Sequence, residues 1–377
     1  MVLALGVIPA AAQSLDDLNI QIHGYATQGF LYSTNNNFFT TESSNGSPAW
    51  TEAVVNVSSQ PMPKLRVAVQ ARYFLLGNLG NAITLDWATA DYKANDKFGV
   101  RFGKVKIPSG LFNEIQDIDP SYLWALLPQS VYPITRRNSL LAEYGGVIYG
   151  TVALPSVLGK LEYRGWSGEH TLAGTDGALL GVTESGTTYP NGVSGVASGA
   201  AIHWKTPIQG LMVGVSDVRY NHASSPVTGG NGALTGNQSL NAYNTPDYFA
   251  KYEKGKLLLA YEYVRDPFVG IVKFPYFAIP FRSDQREQFA MLSYKVTEKL
   301  TAGTYFSYLF NRHEPNLSAN FQKDYTAAAR YDFNQFLYAK VEQHFINGTA
   351  LSYDTDLNPG GLKPNTKLTI LKIGVSF

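Results

Sequence analysis

The chain has 377 residues, of which 16% are charged, with a formal net charge of +1, 24 Tyr, 20 Phe, 35 Gly and no Cys. The near-zero net charge offers no electrostatic footprint for a nucleic-acid partner, and the absence of Cys removes disulfides, thiolate metal sites and a Cys nucleophile. After the N-terminus no run approaches the roughly 18 consecutive apolar residues of a membrane helix, which excludes a helical membrane protein but not a barrel, where only every second residue meets lipid.

The chain begins MVLALGVIPAAAQS. Met1 to Ile8 is apolar, Ala10-Ala11-Ala12 is a small-residue cleavage site, and polar Gln13, Ser14, Asp16 and Asp17 follow at once. This reads as the back half of a secretory signal peptide without its positively charged front. Residues 1–12 are assigned to it, and 13–377 to one domain.

Segments of alternating polarity, about ten residues long as a tilted bilayer-crossing strand requires, then follow one another. The first is 19–33, the second 50–60, and Pro61-Met62-Pro63 makes a tight turn before 64–75. There Leu65, Val67, Val69, Ala71 and Tyr73 point one way, and Lys64, Arg66, Ala68, Gln70 and Arg72 the other. Spans 82–93 and 97–107 flank a short turn, and the long insertion 108–139 comes next. Spans 140–154, 159–167, 199–205 and 210–221 alternate with a turn at Pro155-Ser156, a Gly/Ser/Thr loop at 168–198 and a turn at Thr206-Pro207. A Gly/Asn/Ser loop at 222–246 leads to the hairpin 247–253/256–266. A Pro/Phe-rich loop at 267–286 leads to the hairpin 287–296/299–311. The last hairpin, 322–333/335–346, precedes a final strand, 368–377. In that strand Leu371, Ile373, Val375 and Phe377 alternate with Lys372, Gly374 and Ser376. Sixteen strands result, with connections alternately long and short. That rhythm predicts an all-β chain: a transmembrane antiparallel β-barrel, apolar outside and polar inside.

The terminal run LTILKIGVSF, ending on Phe377, resembles the C-terminal strand by which Gram-negative outer-membrane barrels are recognised for insertion. The insertion 108–139 is not low-complexity, since it carries Leu111, Phe112, Ile115, Trp124, Leu126, Leu127 and Tyr132, which need packing partners. A packed third long loop resembles the constriction loop of sixteen-stranded Gram-negative porins. The run RFGKVKIPSGL is similar to the porin segment G-[KR]-x-x-x-P-x-G through Gly103, Lys104, Pro108 and Gly110. The resemblance implies an outer-membrane porin with the third long loop folded into the lumen, and a homotrimer. Its partners would be bilayer lipid, lipopolysaccharide and small hydrophilic solutes or ions, with no cofactor and no nucleic acid.

A pore needs fixed charge at its narrowest point. The loop supplies Glu114, Asp117, Asp119, Arg136 and Arg137, and the polar strand faces Arg66, Arg72, Arg101 and Arg330. Acid on the loop facing Arg on the wall would set up a transverse field. A channel specific for small anions such as phosphate or carboxylates would need a basic ladder. Lys64, Arg66, Arg72, Arg101, Lys160 and Arg164 suggest one, which Glu162, Glu262, Asp324, Asp332 and Glu342 dilute. A third alternative is a non-channel barrel, an enzyme or adhesin. Asp354-Thr-Asp356-Leu-Asn358-Pro-Gly360 resembles the opening of a calcium loop, but Pro359 stands where Gly belongs and Asn365 where Glu belongs, so no metal site is expected. The six His make no H-x-x-x-H or H-E-x-x-H pair and no G-x-S-x-G elbow is present, so no enzyme is expected.

Overall fold

Alternation of apolar and polar residues becomes a wall of strands in the computed structural model, which describes residues 19–155, 157–179, 186–351, 353 and 355–377. The assigned signal, 1–12, lies outside the described residues, as do Ser156 of one turn and Asp354 of the calcium-like run. The strands are β1 (Gln21–Ser33), β2 (Ser47–Met62), β3 (Leu65–Leu76), β4 (Leu79–Asn95), β5 (Phe98–Lys106), β6 (Ala142–Ala153), β7 (Lys160–Leu172), β8 (Val193–Lys205) and β9 (Leu211–Tyr220). They continue as β10 (Ala223–Gly229), β11 (Leu234–Leu240), β12 (Tyr243–Lys254), β13 (Leu257–Lys273), β14 (Ala278–Lys295), β15 (Leu300–Asn311), β16 (Phe321–Asp332), β17 (Leu337–Gly348) and β18 (Asn365–Ser376).

Sixteen of these form one closed antiparallel barrel, running β1 to β9, across to β12, and on to β18. The ring shuts where β18 lies against β1, from Tyr25 opposite Ser376 to Ser33 opposite Leu368. Gly24 and Phe377 complete the seam by exchanging backbone hydrogen bonds of 3.0 Å. Closure leaves no unpaired edge, which is what a backbone in hydrocarbon requires.

The two faces are the reverse of a water-soluble protein's. On β18, Leu371, Ile373 and Val375 are about half exposed, and the exposed outer face elsewhere carries Ile83, Phe102, Ile148, Ile202, Val213, Leu292 and Val341. The buried face carries Glu52, Arg72, Glu262, Lys340, Glu342 and Lys372. An apolar exposed band this extensive matches a hydrocarbon surround.

The structure departs from the sequence-based expectation at two loops. Residues 222–246 contain the hairpin β10–β11, whose second strand pairs with the far end of β13, Leu240 opposite Gly270. The Pro/Phe-rich stretch 267–286 is strand, β13 and β14 pairing without a break out to Lys273 opposite Ala278. The prolines are tolerated for positional reasons. Pro267 falls where pairing with β12 has ended, at Val264, and pairing with β11 has not begun, at Gly270. Pro280 lies where β14 has outrun β15, whose pairing starts at Gln285. At both places one flank lacks a strand, so a missing N–H breaks no ladder. The connections β3–β4 and β13–β14 are accordingly short, and the long–short rhythm is not strict.

Candidate pore constriction

The connection between β5 and β6 starts at a sharp backbone turn. Gly110 has φ +66°, and a Cβ there would come within 2.2 Å of Glu262 Oε1, so any other residue would be strained and would displace Glu262. Ser109 Oγ lies 2.9 Å from Ser216 Oγ, and Leu111 N–H donates to Glu262 at 3.3 Å. Tyr132 hydroxyl also donates to Glu262, at 2.6 Å. Burial, and then Glu262, push the Tyr132 phenol well above its ordinary range, so it stays a donor. The connection closes with a five-residue helix, α1 (Arg137–Leu141).

Its middle is gripped by the far wall. Phe112, Leu123, Trp124, Leu127 and Val131 pack on Ala260, Val264, Phe289, Met291 and Tyr305 of β13 to β15. Trp124 meets Tyr305 edge-on with ring centroids 4.9 Å apart. Arg330, Lys340 and Lys372 are cross-strand neighbours on β16, β17 and β18. Like charges so placed repel, and the connection supplies what they need. Arg330 donates to Pro120 O at 2.6 Å and Tyr122 O at 3.0 Å, and Lys340 to Asp119 O and Trp124 O, both at 2.8 Å. Asp119 takes Lys372 on Oδ1 at 2.5 Å, and Lys340 at 3.0 Å and the Tyr338 hydroxyl at 2.7 Å on Oδ2. Glu342 accepts the N–H groups of Ala125 and Leu126 at 2.6 and 3.1 Å. The wall thus takes carbonyls with a basic row and amides with one carboxylate.

The nine sequence-derived candidates separate by environment. Asp117 is buried, accepting from Lys106 at 2.7 Å, Gln70 at 2.8 Å and Trp87 at 2.9 Å. Arg137 holds Asp86 through two bonds of 2.8 Å. Arg72 pairs with Glu52 at 2.5 Å under cover of Phe74. With Asp119 and Arg330, these charges are spent on internal pairs or on the backbone. Arg66 is exposed and bonds Ser58 at 3.1 Å, with no hydrogen bond or ion pair to the connection. Glu114, a third exposed, faces two wall arginines, Arg164 at 3.3 Å and Arg101 at 3.7 Å, and Arg101 also holds Asp91 at 2.9 Å. Arg136 is half-buried and makes no ion pair among the described residues.

Sequence reasoning did not bring out Asp86, Lys340 or Lys372 as partners of the connection. Asp86 is visible only through a β-bulge: Gln70 pairs with Trp87 and Ala71 with Leu85, so Asp86 is an extra residue. The bulge turns Asp86 and Trp87 to the same buried side. His344 sits between Asp324 at 2.9 Å and Glu342 at 3.1 Å. Both ring nitrogens are engaged and the ring is buried, which leaves no free base there.

Burial raises the Asp119 carboxyl pKa, but Lys340 and Lys372 outweigh it and hold the group well below the ordinary carboxylate range. A depressed carboxyl contributes its full stability above its unfolded value of about 4 and loses it as pH falls toward the folded value. The connection should therefore resist pepsin at about pH 3 and become cleavable only in stronger acid; cutting within 119–126 that begins at about pH 4 would contradict the pairing.

Compared with protein-family models and with curated proteins, the chain matches none. Solved structures do match. OmpT of Vibrio cholerae superposes with a TM-score of 0.58 at 10% identity, covering 97% of this chain and 99% of that one. Salmonella typhi OmpF in complex with daunomycin gives 0.57 at 13%, with the same coverage, and an anion-selective porin from Comamonas acidovorans gives 0.55 at 10%, covering 95% and 99%. At such identities the likeness is one of fold, and the fold is a porin-like β-barrel.

Proposed function

We propose that the chain is a channel of the Gram-negative outer membrane through which small hydrophilic solutes and ions diffuse passively, narrowed where the 107–141 connection lies across the lumen. A homotrimer set in lipid and lipopolysaccharide belongs to the same proposal. The observation that carries it is the part-exposed charge cluster of Glu114 on the connection with Arg101 and Arg164 on the wall. Inside a ring whose outside is apolar, charges left to water mark a wet path, and facing signs there set up a field that polar solutes tolerate better than apolar ones. The pairing of Arg72 with Glu52, Arg101 with Asp91 and Arg164 with Glu162 leaves little basic charge uncompensated, which favours a general pore over an anion-specific one.

Refolded protein in a planar bilayer should give ohmic single-channel steps, and Arg101→Ala should move the reversal potential in a salt gradient toward cations. Folded barrels that carry no current would overturn the channel. An unchanged reversal potential would remove Arg101 from the selective region.

A further inference from the structure

A cavity of about 310 Å³ lies between the end of the connection and the inner faces of β7 to β9 and β12 to β14. Its charge is one-sided. Asp247, Glu262, Asp266 and Glu287 line it from three adjacent strands, against the single guanidinium of Arg136. Two of these carboxyls crowd each other, since Glu262 Oε1 and Asp247 Oδ2 lie 2.2 and 2.8 Å from the same point, the position a Cβ on Gly110 would take. Glu262 is satisfied by Tyr132 and Leu111. Asp247, 3% exposed, has an Oδ1 with no partner, and Glu287, 7% exposed and lining the same space, makes no hydrogen bond or ion pair among the described residues. A buried carboxyl group without a partner keeps its charge only when a cation is set beside it.

The rest of the wall says which kind. Leu172, Val193 and Leu240 give it an apolar side, so the space suits an organic body rather than a bare metal ion. Aromatic rings cross the strands beside the acids. His170 meets Tyr220 at 5.3 Å, Tyr220 stacks on Tyr243 at 5.0 Å, and Phe268 and Phe281 continue the row at 6.2 and 6.3 Å. Such faces attract both flat rings and ammonium groups.

We propose that this cavity is a binding subsite for organic ammonium ions carrying a flat ring, the ammonium set among Asp247, Asp266 and Glu287 and the ring along Tyr220 and Tyr243. Arg136 competes with the ammonium for the same carboxylates. The inference rests on the channel reading only for the route by which such an ion arrives.

Calorimetric titration of the refolded barrel in detergent with 2-phenylethylammonium tests it, with phenylacetate and 2-phenylethanol as anionic and neutral counterparts. The ammonium should bind and its counterparts should not. The Asp266→Asn, Glu287→Gln double variant should bind it about tenfold more weakly, and Arg136→Ala should bind it several-fold more tightly. Opposite signs from the two substitutions separate a ligand role from a structural one, and heat-modifiable gel mobility shows that each variant is folded. Equal binding of phenylacetate, no binding of the ammonium, an unchanged double variant, or weaker binding by Arg136→Ala would each overturn the subsite. Bilayer recordings on the same preparations keep the two readings apart. Current without ammonium binding leaves the channel and removes the subsite, and binding without current does the reverse.

Discussion

Asp119→Ala should destabilise the refolded barrel by about 3–5 kcal/mol, read from urea or thermal unfolding, and should raise its single-channel conductance. The size follows from what remains. Lys340 and Lys372 are directly opposite one another and both buried, and Asp119 bonds both. Without it Lys372 keeps only Glu52, at 4.0 Å, and Lys340 faces it with no carboxylate of its own, and removing one partner of a buried ion pair leaves the other charge uncompensated. The connection also loses its bond to Tyr338. Restoring the balance by apolar replacement separates charge from shape. Adding Lys340→Met and Lys372→Met to Asp119→Ala should recover most of the stability while the conductance stays high, because the barrel wall is content but the connection has lost its anchor. If Asp119→Ala alone unfolds with the wild-type midpoint, the triad does not hold the structure together.

Trp124→Ala should have an effect of similar size but different extent. The indole is 3% exposed, wedged among Leu123, Leu127 and Tyr305, and a buried large aromatic cut to Ala loses about 3–5 kcal/mol. The loss falls on the docking of the connection, not on the strand ladder, since no strand register depends on Trp124. Protease should therefore cut the connection at a much lower concentration, and conductance should fluctuate between levels, while the barrel's unfolding midpoint moves less than in Asp119→Ala. A midpoint that falls as far in both would show that connection and barrel unfold as one cooperative unit.

How much of this was legible can be seen in particular residues. The face each residue takes follows from alternation alone, which sets Gln70 and Arg72 on the face opposite Val67 and Val69, as the barrel has them. The number of barrel strands was legible for the same reason. Register was not. Lys340 and Lys372 each stood on a polar face, but nothing in the sequence says they are opposite each other, and only that pairing explains why Asp119 must sit between them. The bulge at Asp86 was hidden because one extra residue shifts a strand without changing its composition. Pro267 and Pro280 suggested a loop because proline is penalised in a ladder, and the penalty vanishes where a neighbouring strand is missing, which only topology reveals. The loop charges stand out in the sequence as a group. Which of them meet water and which are buried in pairs depends on partners that composition does not mark: Lys106 and Gln70 for Asp117, Asp86 for Arg137, and, over two hundred residues away, Tyr338 and Lys372 for Asp119.

That separation has a consequence for the order of assembly. Asp119 meets Tyr338 and Lys372 across 219 and 253 residues of chain, and the wall that holds Trp124 is built from β13 onward. While the first half of the protein emerges, Asp117 and Arg137 already have Lys106, Gln70 and Asp86 to pair with, but the apolar residues from Phe112 to Val131 lack the wall they pack on. The 119–126 part of the connection can seat only when the C-terminal strands arrive, the same stage at which β18 pairs with β1. Contacts so remote in sequence slow a folding reaction. Docking of the connection and closure of the ring should therefore be late and coupled steps, and a chain ending before β17 would leave Asp119 without Tyr338, Lys340 and Lys372.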